Sequence, residues 1–400
     1  MNKQTLESFC QIIVDCKNRT PPEAPPGEGT AFAVGTPHIV DGRIDLSTAR
    51  PVTEETFSTW TSRAIPQPGD IILTREAPVG RVAMIKEGMR ICLGQRTMLI
   101  RTDKNKIDNR FFEFLLKSKK IQQSLYAKAS GSTTPHLRVT QVRELEIPNL
   151  PSTSRQKNIS DTLGALDDKI AVNEQIVDTS LNLAEQIYLK HSYTPEFKAI
   201  TLESAAKWLS GGTPKTNEQD FWDGDIPWIS AKSLKSPFIS NSDRNITELG
   251  AQSGSRVVDK GTVIFVVRGS SLKNEFRIGV TQRSVAFGQD CKALVANENI
   301  DPHTLFHAIR SRRSEILDMV DETAIGAGRL STDLISKFEI RVPNSPENEI
   351  SIKLRLLDEK AARVQSESRT LAELRDTLLP QLMSGKLRVK DAESIVEDAT

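Results

Sequence analysis

Four hundred residues with 38% hydrophobic and 26% charged side chains can build two or three cores, and this balance excludes a disordered chain. The formal net charge of +1 means that any contact with nucleic acid must rest on local basic patches. Cys10, Cys16, Cys92 and Cys291 form no CxxC, the five histidines are scattered, and neither a secretory leader nor a run of 18 apolar residues is present. Zinc ligation and a membrane span are therefore not expected, and a cytoplasmic protein with reduced thiols is.

In chain order, Pro68-Gly69-Asp70 reads as a turn, followed by a strand from Ile71 and another over 81–85. A helix is expected over 108–127, with Phe111, Phe114, Leu115 and Ile121 at helical spacing. A short apolar strand, 145–147, ends at Pro148 and Pro151. A long helix follows, in which Ile159, Leu163, Leu166, Ile170, Asn173 and Val177 alternate in steps of four and three. That rhythm keeps one seam toward one partner, as in a coiled coil. The plan then repeats: a turn at Asp259-Lys260-Gly261, strands through Val267 and over 278–280, a helix over 301–318 and a strand over 338–342. A second seam runs through Ile350, Leu354, Leu357, Ala361, Val364 and Leu371, and Pro380 is expected to stop that helix.

The repetition is visible in the letters. Thr5-Leu6-Glu7-Ser8 returns as Thr201-Leu202-Glu203-Ser204, Gly94-Gln95 as Gly288-Gln289, and Leu166-Asp167-Asp168-Lys169 as Leu357-Asp358-Glu359-Lys360. Residues 107–147 align without a gap on 300–340. Such spacing points to an internal duplication of about 190 residues. The expected fold is α+β: two α/β domains (1–151 and 191–345) separated by two long antiparallel, coiled-coil-like helices (152–190, and 346–390 with a tail), related by a pseudo-twofold axis. Asn173 would place a polar group on the seam and fix its register. The paired acids at 167–168 and 358–359 sit beside lysines and read as surface ion pairs.

A long spacer between two globular parts does not suit an active site, which needs convergence, but it suits a protein that reads two stretches of duplex DNA. The basic residues agree. Lys117, Lys119 and Lys120 have counterparts in Arg310, Arg312 and Arg313, and Arg138 and Arg329 lie near the turns that follow, placed to neutralise phosphates. Arg75, Arg81 and Arg96, with Arg268, Lys273 and Arg277, are loop-borne candidates for base edges. Walker, HExxH and GxSxG motifs are absent, as is a glycine-rich cofactor loop, so no catalytic or metal residues are expected.

Three stretches carry a resemblance to a known family: LSGGTPKTNEQDFWDGDIPWISAKSL (209–234), IPNLPSTSRQKNI (147–159) and LLPQLMSGKL (378–387). With them the chain resembles, over nearly its full length, the specificity subunits of type I restriction–modification systems. The resemblance implies two target recognition domains that read a bipartite DNA sequence. It also implies helices that dock two methyltransferase subunits, and a complex with restriction (translocase) subunits. Adenine methylation and ATP-dependent cleavage would belong to those partners, which would carry S-adenosylmethionine, ATP and Mg2+. Gly211, Thr213, Pro214, Trp222 and Trp228 would hold the second domain's shape. The first domain has Val34-Gly35-Thr36-Pro37-His38-Ile39 where the second has Gly224-Asp225-Ile226-Pro227-Trp228-Ile229. The rival readings are a single-chain endonuclease with an acidic metal site and a coiled-coil tether that reads no DNA.

Overall fold

The strand Ile71–Thr74 is buried along its whole length, as a run of Ile-Ile-Leu-Thr requires, and it takes a central place in its sheet. Thr97–Thr102 and Val82–Met84 flank it, and Cys10–Asp15 pairs with the far side of 97–102, all antiparallel. Period-two alternation divides the sheet between two cores. Ile71, Leu73, Met98 and Ile100 join Phe111, Phe114 and Leu115, whereas Ile72 and Leu99 join Val34, Ile39 and Ile91. A second sheet sets Ala31–Val34 parallel to Ile91–Leu93 and antiparallel to Arg50–Val52. This computed structural model describes residues 4–17, 19–131, 134–322 and 327–399. The chain forms two compact units, 1–170 with 370–400, and 171–369.

The second unit has the same strand order: Ala206–Ser210, Cys291–Ala296, Val263–Val266 and Ile278–Thr281, with Phe238–Ile239 added at the edge. Trp222–Ile229 runs parallel to Val285–Phe287, as Ala31–Val34 does to Ile91–Leu93. The register pairs Val34 with Leu93 and Ile229 with Phe287. Val34-Gly35 therefore corresponds to Ile229-Ser230, five residues beyond the match of VGTPHI with GDIPWI. The turn that follows closes alike in both: the Gly35 N–H donates to His38 Nδ1 and the Ser230 N–H to Ser233 Oγ, each at 2.9 Å. The repeated Gly94 and Gly288 mark close approaches at this place. A Cβ on Gly94 would lie 2.9 Å from the Gly35 nitrogen, and one on Gly288 would lie 2.8 Å from the Trp228 ring.

Several elements differ from their sequence expectation. The helix expected over 108–127 is two, Asn109–Lys117 and Lys119–Lys128, because Ser118 between them is extended (φ −62°, ψ 143°). Likewise 301–318 divides into Pro302–Arg310 and Arg313–Leu317. Asp108 and Asp301 cap the first member of each pair, accepting from the Phe111 N–H at 2.8 Å and from the His303 and Thr304 N–H groups at 2.9 and 3.2 Å. In place of a strand at 145–147 there is a single bridge, Thr5 to Glu146, whereas Glu339–Pro343 pairs fully with Phe197–Thr201. Pro380 does not stop the second long helix. Proline removes one N–H and leaves the next turn free to continue, and buried Leu378, Leu379 and Leu382 on either side of it hold that turn to the core. The helix ends instead at Ser384, before Gly385 at φ +75°. A further helix, Val389–Ala399, brings Ala392 and Val396 into the same core.

The first long helix is Thr153–His191 and the second Glu349–Ser384. The first begins after Ser152, whose hydroxyl accepts from the Arg155 N–H at 3.4 Å, and the second after Asn348, which accepts from the Ile350 N–H at 2.8 Å. Each helix contributes to both units. In the first unit Ile159, Leu163, Leu166 and Ile170 pack in one core with Leu371, Leu378 and Leu382. In the second, Val177, Leu181 and Ala184 share a core with Ile350, Leu354 and Ala361, while Leu357 and Val364 are half-buried at its margin. Asn173 is buried, and its Nδ2 donates to Glu367 Oε2 at 2.9 Å, so the polar seam residue has a polar partner.

Candidate nucleic-acid interface

The basic residues divide into those that hold the fold and those that face outward. Arg81 and Arg277 hold it, and in the same way. Each precedes the fourth strand of its sheet, and each sends Nη1 back to the turn after the parallel strand: Arg81 to the Thr36 and Ile39 carbonyls (3.4 and 3.0 Å), Arg277 to the Ala231 carbonyl (3.3 Å). Thr36 and Ala231 stand two residues beyond the equivalent Val34 and Ile229. One donor nitrogen of each guanidinium thus braces the backbone, and Arg81 stays exposed. Arg75 is also internal, with 8% of its surface exposed. Its Nε donates to the Leu137 carbonyl at 2.8 Å, its Nη2 lies 3.0 Å from His136 Nε2, and Asp15 is 3.5 Å away. Arg96 pairs with Glu76 at 2.9 Å but keeps about half of its side chain exposed.

The recurrent cluster at the helix pairs is partly structural as well. Lys117 bonds Glu113 (2.7 Å) and the Gly42 carbonyl (3.3 Å). Arg310 and Arg313 both hold Glu185 of the first long helix, the latter at 2.8 Å. Burial lowers the Arg310 pKa further than Glu185 raises it. Arg312 donates from Nε to Glu315 at 2.8 Å and lies over the Phe338 ring at 4.2 Å. In the second unit this cluster fastens a helix pair to the long helix, which the run Arg310-Ser311-Arg312-Arg313 does not reveal as letters. Lys119, Lys120 and Arg138 are exposed and have no ion-pair partner among the described residues, and Lys273 is exposed.

One pair stands apart. Arg268–Gly269 lies antiparallel to Gly328–Leu330, and the register sets Arg268 directly opposite Arg329. Both are exposed. Arg268 has Asp290 at 3.9 Å, and Arg329 has Asp321 opposite on its other neighbour but no ion pair within bonding distance among the described residues. Like charges facing across two strands oppose pairing; Asp290 and Asp321 offset that from the sides, and an anion lying over the pair would offset it further. Gly269 beside them approaches Ala231, the residue braced by Arg277.

Two features escaped the sequence reading. Asp358 is not a surface acid: it is 1% exposed, and its two oxygens bond His303 Nδ1 (2.8 Å) and His307 Nε2 (2.9 Å). Burial raises its pKa, but His307 and the two hydrogen bonds outweigh burial, and the carboxyl ends below the ordinary carboxylate value. In the first unit Asp167 is likewise largely buried, 2.6 Å from Arg375, while Asp168 meets Arg110 at 2.7 Å and stays exposed as expected. Asp168 and Asp358 therefore join a long helix to a globular part, and Asp167 joins one long helix to the other. The second feature is Arg244, exposed, with its Cζ 3.4 Å from the centre of the Trp222 ring and 5.8 Å from that of Trp228. Both tryptophans are buried, which agrees with a shape-holding role. Among the described residues no group of three or more His, Cys, Asp or Glu is arranged to hold a metal ion, and no helix is long and apolar enough to cross a membrane.

Comparison with known proteins bears on this interface. The profile described as "Type I restriction modification DNA specificity domain" matches twice, over residues 4–179 and 196–371. A type I restriction enzyme specificity subunit of Escherichia coli is 32% identical over 151 residues, a match that spans 37% of each chain. One from Methanocaldococcus jannaschii is 26% identical over 364 residues, covering 86% of this chain and 83% of the relative. The crystal structure of a type I restriction–modification S subunit from M. genitalium has the same fold, with a TM-score of 0.56 at 20% identity over 96% of both chains. With the matched profile extending over most of its length, the chain belongs to the family of type I restriction–modification specificity subunits.

Proposed function

We propose that this chain reads DNA sequence for a type I restriction–modification complex and directs partner subunits that methylate adenine or cleave with ATP. The observation that carries the reading is the outward-facing Arg268–Arg329 pair, a like-charged pair that a bound phosphate would neutralise and whose N–H groups a base edge would accept. Lys119, Lys120, Arg138 and Lys273 add exposed positive charge, and half-exposed Arg96 contributes in the first unit. The two units read different half-sites: the segments that follow their equivalent strands, 36–66 and 231–258, share little sequence. The long helices serve as spacer and as the docking surface for two methyltransferase subunits, in support of which Val172, Leu183 and Leu356 project from them exposed. S-adenosylmethionine, ATP and Mg2+ belong to the methyltransferase and restriction partners.

Replacement of residues 201–343 by the same segment of a relative tests this. Methylated sites in the assembled complex are expected to change in one half only, with the gap between halves unchanged because both long helices are retained. A change in both halves, or in neither, overturns it.

A further inference from the structure

We propose that Arg244 is a specificity-determining residue of the second unit, presenting a fixed guanidinium fork to a guanine in the major groove. The proposal rests on the DNA-reading function above and adds to it a residue and a base. Its backbone is pinned from both sides. The Trp228 N–H donates to the Arg244 carbonyl at 2.9 Å, Asn245 is paired with Pro227, and the Ser242 hydroxyl donates to the Trp228 carbonyl at 2.6 Å.

The surface beneath the side chain is equally fixed. Trp222 and Trp228 meet edge to face, 5.5 Å between centres at 84°, and their indole N–H groups are used internally by the Lys215 and Gly212 carbonyls, each at 3.0 Å. With Cζ 3.4 Å above the Trp222 ring, the guanidinium lies flat on it, since a tilted group would bring a nitrogen into overlap. Stacking consumes one face and none of the N–H donors, which radiate from the edge. No carboxylate pairs with Arg244 among the described residues, and the group is exposed. The result is a planar set of donors whose orientation is set before a ligand arrives.

A planar fork of fixed orientation matches two acceptors lying side by side in one plane, which guanine presents as O6 and N7. Phosphate accepts the same fork, but a phosphate contact tolerates a mobile side chain, and lysines with free stems such as Lys119 and Lys120 suffice for it. Holding the plane has a purpose only where the ligand's plane is itself held, as in a stacked base pair.

The test uses the full chain assembled with methyltransferase subunits, which methylates a library of duplexes randomised over the recognition site. The variants are Arg244→Met, which still covers the indole, and Arg244→Lys, which keeps the charge but not the fork. Both are expected to lose roughly tenfold to hundredfold preference for guanine at one position of one half-site. The other positions and the melting temperature are expected to stay as they are. A uniform loss across all sequences, with the salt dependence falling by about one phosphate equivalent, would assign Arg244 to the backbone and overturn the proposal. Unchanged selection with a lowered melting temperature would reduce it to packing and overturn it too. Failure of the DNA-reading function looks different: the parent complex itself would then select no sequence.

Discussion

Arg81 and Arg329 are both cations of loop or edge regions, yet they differ in where their donors are used. Arg81 is bonded to the Thr36 and Ile39 carbonyls, whereas Arg329 faces outward opposite Arg268. Arg329→Ala is expected to flatten the dependence of log K for DNA on log salt by about 0.9, the contribution of one phosphate, with melting unaffected. Arg81→Ala is expected to leave that slope alone and to lower stability by about 1–3 kcal/mol through two carbonyls left without donors. Salt titration and thermal melting of the two variants separate the roles, and a fall in slope for Arg81→Ala would contradict them. Sequence alone could name both arginines but not sort them. Residue type and loop position are alike in the two, and only the tertiary placement of a carbonyl decides which fork is free. Asp358 illustrates the same limit, since Glu359 and Lys360 beside it suggest a surface ion pair while its neighbours in space are two buried imidazoles.

At the scale of elements, periodicity was the most informative signal. The four-three rhythm coincides with buried positions from Ile159 to Val177 and at Leu354, Ala361 and Leu371, because burial along a helix must follow its turn. What periodicity cannot show is a break that costs no apolar contact. Ser118 adopts an extended backbone while Phe111, Leu115, Ile121 and Leu125 remain buried on either side of it. Nor could it show the depth of burial along the seam. Leu166 is fully buried, whereas Leu357, its counterpart in the repeated letters, is half-buried. Leu166→Asp is therefore expected to destabilise the first unit by about 3–5 kcal/mol, through a lost side chain and an unpaired buried charge, and Leu357→Asp to cost the second unit less than half of that. Hydrogen exchange of amides in each unit measures both, and equal losses would show the two positions to be equivalent after all.

At the scale of the whole molecule, each unit is closed by pieces of chain that are remote in sequence. The first needs Leu371, Leu378, Leu379, Leu382, Ala392 and Val396 beside residues from 1–170, whereas the second is contiguous from 171 to 369. Order along the chain is then not order of completion. As the polypeptide leaves the ribosome, residues 171–369 emerge with everything their core requires, while the core begun earlier waits for residues 370–400. The usual precedence of the N-terminal domain in synthesis is inverted here. Ribosome-bound chains arrested just after residue 369 has emerged are expected to resist protease across 171–369 and to be cut within 1–170. Resistance across 1–170 at that length would show that the first core closes without its distant segment. The first domain is then expected to rely on shelter in the cell for the full time taken to translate the second.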